Sequence, residues 1–174
     1  MGVSRTTVRE YLTLLRHVFL VEELPAWHAN RLKRLVKTPK LHMTDTGLAC
    51  ALLGVEADDL GRDRTLLGQL LETFMVQELR RQASGWEHDV RFSHYRDKDQ
   101  QEVDIVLERG PNRIAGIEVK AAATIRDADR RGLERLRDAA GDHFCCGVLL
   151  YDGETLVPMG DRIYAVPLGV VWGD

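Results

Sequence analysis

Two carboxylates and an ammonium stand inside short apolar runs of this sequence. Asp104 lies in Glu102-Val103-Asp104-Ile105-Val106-Leu107, and Glu118 and Lys120 lie in Ile114-Ala115-Gly116-Ile117-Glu118-Val119-Lys120. Both runs are short and rich in β-branched residues, which predicts adjacent core strands. Burying such charges is expensive unless they pair or bind a metal. Asp104 and Glu118 on neighbouring strands can share a hard divalent cation, with the Val119 carbonyl as a third oxygen. Mg²⁺, or Mn²⁺ in its place, suits few carboxylates because it keeps its own waters. Such an ion polarises a phosphoryl oxygen and lowers the pKa of the attacking water. Lys120, two residues beyond Glu118 and on the same strand face, orients that water or steadies charge developing on phosphate. Metal-dependent phosphodiester hydrolysis is the chemistry these residue types at this spacing point to.

The elements that must position these groups follow from periodicity. Thr65 to Gln82 is the strongest helix, with Leu67, Leu70, Leu71, Phe74, Met75, Val76 and Leu79 forming an apolar arc. Two glutamates lie in or beside that arc. Glu78 falls between Leu67 and Leu71 and is the odd buried charge by periodicity, while Glu72 falls on the flank. A strand from Val90 to Tyr95 precedes the two acidic strands. A helix near Asp127 to Ala140, a strand from Phe144 to Tyr151 and a hairpin through Ile163 to Val166 follow them. The order predicts an α/β domain with a mixed central sheet flanked by helices.

The first forty residues differ in charge from the rest. They carry Arg5, Arg9, Arg16, Arg31, Lys33, Arg34, Lys37 and Lys40 against three glutamates, a net of +5, so an overall net of −3 leaves −8 for the remainder. A basic segment on an acidic body suits a polyanion such as DNA. Ser4 caps a predicted helix from Arg5 to His17, whose apolar stripe Phe19 extends. Phe19 to Leu24 reads as a strand, Lys40 to Met43 as another, and Thr44-Asp45-Thr46-Gly47 opens a short helix through Leu53. Helix, strand, basic connection and strand is the order of the second half of a winged helix, whose recognition helix enters the major groove. The expectation is a partial module, met in the middle, over 1–54, as a fragment or a shortened product. A polar linker over 55–64 joins it to the α/β domain over 65–174.

Composition narrows the classes. The chain has 174 residues, 44% of them hydrophobic. It has no apolar run of the roughly 18 residues that span a membrane and no signal-peptide pattern, so a cytoplasmic protein is expected. Cys50, Cys145 and Cys146 lack a paired C-x-x-C spacing and are expected as core thiols. Ser93 and His94 lie near the acidic strands, but the six histidines offer neither zinc-ligand spacing nor a Ser/His/Asp arrangement. Tyr95-Arg96-Asp97-Lys98 reads as a charged turn that also offers Arg96 to a phosphate.

Asp104, Glu118 and Lys120 resemble the PD-(D/E)xK nuclease signature, and Gly68-Gln69-Leu70-Leu71-Glu72 resembles the G-x-x-x-E helix of archaeal Holliday-junction resolvases. The resemblance moves the choice of helix glutamate from Glu78 to Glu72. Leu24-Pro25-Ala26-Trp27, Lys37-Thr38-Pro39-Lys40, Asp45-Thr46-Gly47-Leu48, the Gly68 to Glu72 segment, Tyr95-Arg96-Asp97-Lys98, Glu102-Val103-Asp104 and Ile117-Glu118-Val119-Lys120 together resemble the domain of unknown function family 4143. That family resemblance implies a restriction-endonuclease-like fold and an AAA-type ATPase partner in the same chain. The sequence departs from it in having no G-x-x-x-x-G-K-[ST] loop. Two functions are therefore expected. One is an Mg²⁺-dependent nuclease with Glu72, Asp104, Glu118 and Lys120 catalytic, Asp104 and Glu118 holding the metal, and a homodimer as in junction-cutting relatives. The other is a non-catalytic DNA-binding or protein-interaction module, using Arg5, Arg9, Arg31, Lys33, Arg34, Lys37, Lys40 and Arg96.

Overall fold

Eight strands and six α-helices follow one another in the computed structural model, which describes residues 2–35 and 37–173. Helix α1 (Arg5–His17) starts at Ser4, whose side chain accepts the Thr7 N–H at 3.1 Å. Strand β1 (Val21–Leu24) pairs antiparallel with β2 (Lys40–Met43), with Leu24 opposite Lys40. Between them lies the short α2 (Arg31–Arg34), inside the basic connection where no helix is predicted. Phe19 neither extends the α1 stripe nor joins β1. It takes φ 58° and is 80% exposed. Its N–H reaches the Arg16 carbonyl at 3.0 Å and the Leu20 N–H reaches Leu15 at 2.9 Å. This is a Schellman stop, normally given to glycine, and it terminates the helix before any strand begins.

Helix α3 (Thr46–Leu53) is capped by Asp45, whose carboxylate accepts the Leu48 N–H at 2.6 Å, and is closed by Gly54 at φ 66°. The expected linker is a helix instead: α4 (Ala57–Arg62), started by a capping box between Glu56 and Asp59. Acidic residues in a first turn favour the helix N-terminus, a local signal that polarity alone conceals. Asp63 then caps the long α5 (Arg64–Ala83), accepting the N–H groups of Thr65 and Leu66 at 3.0 Å each.

A six-stranded mixed sheet carries the rest, in the order β3 (Val90–Arg96), β4 (Glu102–Arg109), β5 (Arg113–Lys120), β6 (Phe144–Tyr151), β8 (Ile163–Pro167) and β7 (Val157–Gly160). Strands β3, β4 and β5 are antiparallel, whereas β5, β6 and β8 run parallel. Helix α6 (Arg131–Ala140), entered through a 3₁₀ turn at Asp127–Arg130, makes the crossover that a parallel β5–β6 pair requires. Asp97 shapes the β3–β4 turn by accepting the Asp99 and Gln101 N–H groups at 2.8 and 2.9 Å.

The sheet has an apolar core on each face. Met75, Val76 and Leu79 of α5 pack on Ile105, Ile117, Val119 and Leu150. Leu133 and Leu136 of α6 pack on Val103, Val106, Phe144 and Leu149. The N-terminal segment feeds both, with Leu24 in the first and Trp27 in the second. A Cβ on Gly132 would meet the Glu102 carbonyl oxygen at 1.9 Å, so only glycine lets α6 lie this close to the start of β4. The expectation of core thiols fails: Cys50 and Cys146 are half-buried and Cys145 is exposed. The last two line an open, largely apolar cavity of about 320 Å³ with Trp86 and Leu107.

Candidate active site

Ile117 and Val119 turn into the core under α5, so alternation along β5 sends Glu118 and Lys120 to the opposite face. Asp104 reaches the same place through a break in β4. Ser93 pairs with Val106 and Tyr95 with Val103, leaving His94 opposite both Asp104 and Ile105. The extra β4 residue is a bulge, a device that re-aims side chains beside functional sites. Asp104 Oδ2 accepts the Val119 N–H at 3.0 Å, fixing the carboxylate between the two strands. These groups open on a cleft of about 670 Å³ whose walls are the first turns of α5, the β4 entry and the 3₁₀ turn before α6.

Lys120 Nζ donates to Glu118 Oε1 at 2.8 Å. Glu118 Oε2 is buried and has no hydrogen-bond partner. Burial, and then the Asp104 charge, push the Glu118 carboxyl up to about 8 against the opposing pull of Lys120. Lys120 stays firmly charged: burial opposes its ammonium, but Glu118 and Asp104 raise its pKa above the ordinary lysine value. Glu72 faces the same cleft from α5, with its pKa raised by burial and by Asp104. Glu78 is buried, as periodicity indicates, but it pairs with Arg81 and accepts the Gln82 amide at 2.8 Å, near the far end of α5. The glutamate at the cleft is Glu72.

Lys40 is the residue whose place sequence reasoning misses. Expected among the DNA-facing cations, it is paired with carboxylates that line the cleft, 2.8 Å from Glu72 Oε1, 3.2 Å from Asp104 Oδ1 and 3.6 Å from Glu102 Oε2. Burial opposes its charge, yet Asp104 and Glu72 raise its pKa above the usual lysine value. Two positions on, His42 follows on the same strand face. It is buried against Thr73 Oγ1 at 3.1 Å, and burial and the Lys40 charge lower its pKa to about 4. The i, i+2 spacing of Lys40 and His42 on a short strand is the sequence signal for the pair. Glu102, also unforeseen, splits its oxygens between Lys40 and Arg96, the latter at 2.9 Å.

The other predicted cations are dispersed. Arg34 turns inward to the buried Glu108, with nitrogen–oxygen distances of 2.5 and 3.3 Å, beneath the Trp27 ring face. Lys37 donates to the Arg96 carbonyl at 2.8 Å. Arg5, Arg9, Arg31, Lys33 and Arg96 are exposed. Ser93 bonds the Val106 carbonyl at 3.4 Å within the β3–β4 pair, and the His94 ring meets the Thr38 carbonyl at 3.2 Å, tying β3 to the segment before β2.

Among the described residues, no three His, Cys, Asp or Glu side chains are arranged around one metal-sized point. The donor set to be weighed against a hard cation is therefore the pair Asp104 and Glu118 completed by water. That pair fits such an ion, because Glu118 Oε2 is buried without a partner and the Asp104 charge beside it disfavours a second unneutralised carboxylate.

The family described as Domain of unknown function (DUF4143) matches residues 67–171, and Domain of unknown function (DUF8612) matches residues 1–59. Uncharacterized proteins of Mycobacterium bovis and Mycobacterium tuberculosis are each 31% identical to this chain over 170 residues. The match covers 96% of the chain and 36% of each relative, so the chain spans little over a third of their length. No solved structure matches the chain. Among the described residues no helix is long and apolar enough to cross a membrane.

Proposed function

This chain belongs to the family described as Domain of unknown function (DUF4143), and from that premise we propose that its acidic cleft is the site of a metal-dependent DNA phosphodiesterase of PD-(D/E)xK type. The observation that carries this reading is the meeting of Asp104, Glu118 and Lys120 at one cleft, with Glu118 Oε2 buried and unpartnered. Asp104 and Glu118 are the residues that would hold Mg²⁺ or Mn²⁺. When bound, the ion would supply Lewis-acid polarisation of a phosphoryl oxygen and a water of lowered pKa.

The chain's own groups do the positioning. Asp104 is locked by the Val119 N–H on Oδ2, which leaves Oδ1, 3.2 Å from the Lys40 ammonium, as the oxygen a cation would share. Lys120, kept as an ammonium beside Glu118, donates to the attacking water or to a phosphoryl oxygen, where it offsets the charge that develops as phosphorus gains a ligand. The water oxygen gives up a proton to solvent and forms the new P–O bond, the ester P–O bond breaks, and the leaving alkoxide takes up a proton from solvent. Glu72 supports the site from α5. In this reading the sheet with α5 and α6 is restriction-endonuclease-like, and α1 with β1 and β2 is part of a winged helix. Arg5, Arg9, Arg31, Lys33 and Arg96 approach the DNA backbone. An AAA-type ATPase, a second copy of the chain and a cytoplasmic setting complete the proposal. The test is cleavage of plasmid, linear, branched and single-stranded DNA with Mg²⁺ or Mn²⁺ and with EDTA. Cutting that EDTA abolishes is the expected result.

A second reading, a non-catalytic binding or interaction module, is favoured by α1, which buries none of its side chains and exposes Val8, Tyr11, Leu14 and Leu15. It predicts DNA or protein binding that Asp104→Ala leaves intact and, for DNA, that weakens steeply with salt.

A further inference from the structure

Lys40 reaches the cleft from the N-terminal hairpin, 64 residues before Asp104 in the chain. Its ammonium is surrounded by three carboxylates, those of Glu72, Asp104 and Glu102. The side chain is only 22% exposed, so these pairs lie largely out of bulk water, where charge interactions strengthen. The other cations beside the cleft are committed elsewhere: Lys120 to Glu118, Arg96 to the other oxygen of Glu102, and Arg64 to Asp152. Asp104 is thereby divided, with Oδ2 on the Val119 N–H and Oδ1 on Lys40. A divalent ion that binds Asp104 must share or take the oxygen that Lys40 holds.

We propose that Lys40 is a built-in counter-cation of the acidic cleft. It neutralises the Glu72, Glu102 and Asp104 side, competes with a divalent ion for Asp104, and so sets how tightly and in what number such ions bind. The inference rests on the reading of the cleft as a divalent-metal site. Lys40→Met keeps the apolar stem and removes the charge. Three carboxylates are then left facing one another, a set that gains from any cation able to enter.

The experiment is calorimetric titration of Mn²⁺ into the whole chain, with thermal unfolding measured in EDTA and in Mn²⁺. Wild type is compared with Lys40→Met and with Lys98→Met, which removes the same charge from an exposed turn. Lys40→Met is expected to bind Mn²⁺ at least tenfold more tightly than the other two and to show the largest rise in melting temperature on adding Mn²⁺. Equal affinities and equal shifts in all three overturn the inference and leave the metal-site reading standing. Binding by Lys40→Met alone supports the inference and overturns metal dependence of the wild-type cleft. Absence of heat and of any shift in all three overturns both. Lys40→Gln, which keeps an N–H donor for Glu72, carries the same expectations where Lys40→Met does not fold.

Discussion

Glu118 carries the strain of the cleft. One oxygen is held by Lys120 and the other has no partner, and the carboxyl is pushed up to about 8 by burial first and Asp104 second. A carboxyl whose folded pKa lies above its ordinary 4.5 holds a proton that the unfolded chain releases. Its contribution to stability is therefore complete below about pH 4.5 and is lost as pH rises toward 8. His42 acts oppositely and lower on the scale. Its pKa is depressed from 6.5 to about 4, so stability from its neutral ring is present above 6.5 and lost as pH falls through 4. Between pH 6.5 and 8 the Glu118 trend is separated from that of His42. Melting curves of the metal-free protein over that range are expected to fall with pH in wild type and to flatten in Glu118→Gln. An equal slope in both contradicts the placement of the proton. Asp104, Glu118 and Lys120 are legible in sequence because a charge inside a β-branched run is a local anomaly. Lys40 is not, because its partners Glu72 and Asp104 lie 32 and 64 residues away and only tertiary structure distinguishes it from seven other early cations.

At the scale of elements, the site depends on two irregularities. The bulge at Asp104 and Ile105 interrupts β4 where the strand lines the cleft, and the bare backbone of Gly132 brings α6 against the β4 entry. Neither is visible in a period-2 pattern, which is why the strands were legible and their register was not. Glu102 carries the carbonyl that Gly132 approaches, so a methyl there collides with backbone, which cannot rotate away. Gly132→Ala is expected to destabilise by about 2 kcal/mol or more, at the upper end of overpacking costs. Chemical denaturation measures it. A change below about 0.5 kcal/mol, the range of ordinary surface substitutions, contradicts the close approach. Helix α4 shows the converse limit: its acidic first turn reads as a linker when only polarity is counted and as a helix start when the capping box is seen.

Across the whole molecule, charged side chains tie the N-terminal segment to the α/β domain, among them Lys40 on Asp104 and Arg34 on Glu108. Glu108 is 3% exposed, so removing the guanidinium leaves a buried carboxylate without its ion pair. Arg34→Met is expected to destabilise by about 3 kcal/mol, the low end for breaking a buried pair from one side. Arg34→Met with Glu108→Gln is expected to recover most of that loss in the same denaturation experiment. The charge contrast that suggested a basic segment suited to a polyanion is thus partly spent inside the protein, while Arg5, Arg9, Arg31 and Lys33 remain on its surface.

The central claim, that Asp104, Glu118 and Lys120 form a metal-dependent phosphodiesterase site, is tested most directly by the rate of DNA cleavage in Mg²⁺ or Mn²⁺ by wild type, Asp104→Ala and Lys120→Ala, with DNA affinity measured alongside. The account predicts cutting by wild type that falls at least about a hundredfold in both variants, the scale of losing a preorganised electrostatic group, at nearly unchanged affinity. Folded wild-type protein that binds DNA and leaves every substrate intact, or cutting that survives in Asp104→Ala, contradicts it.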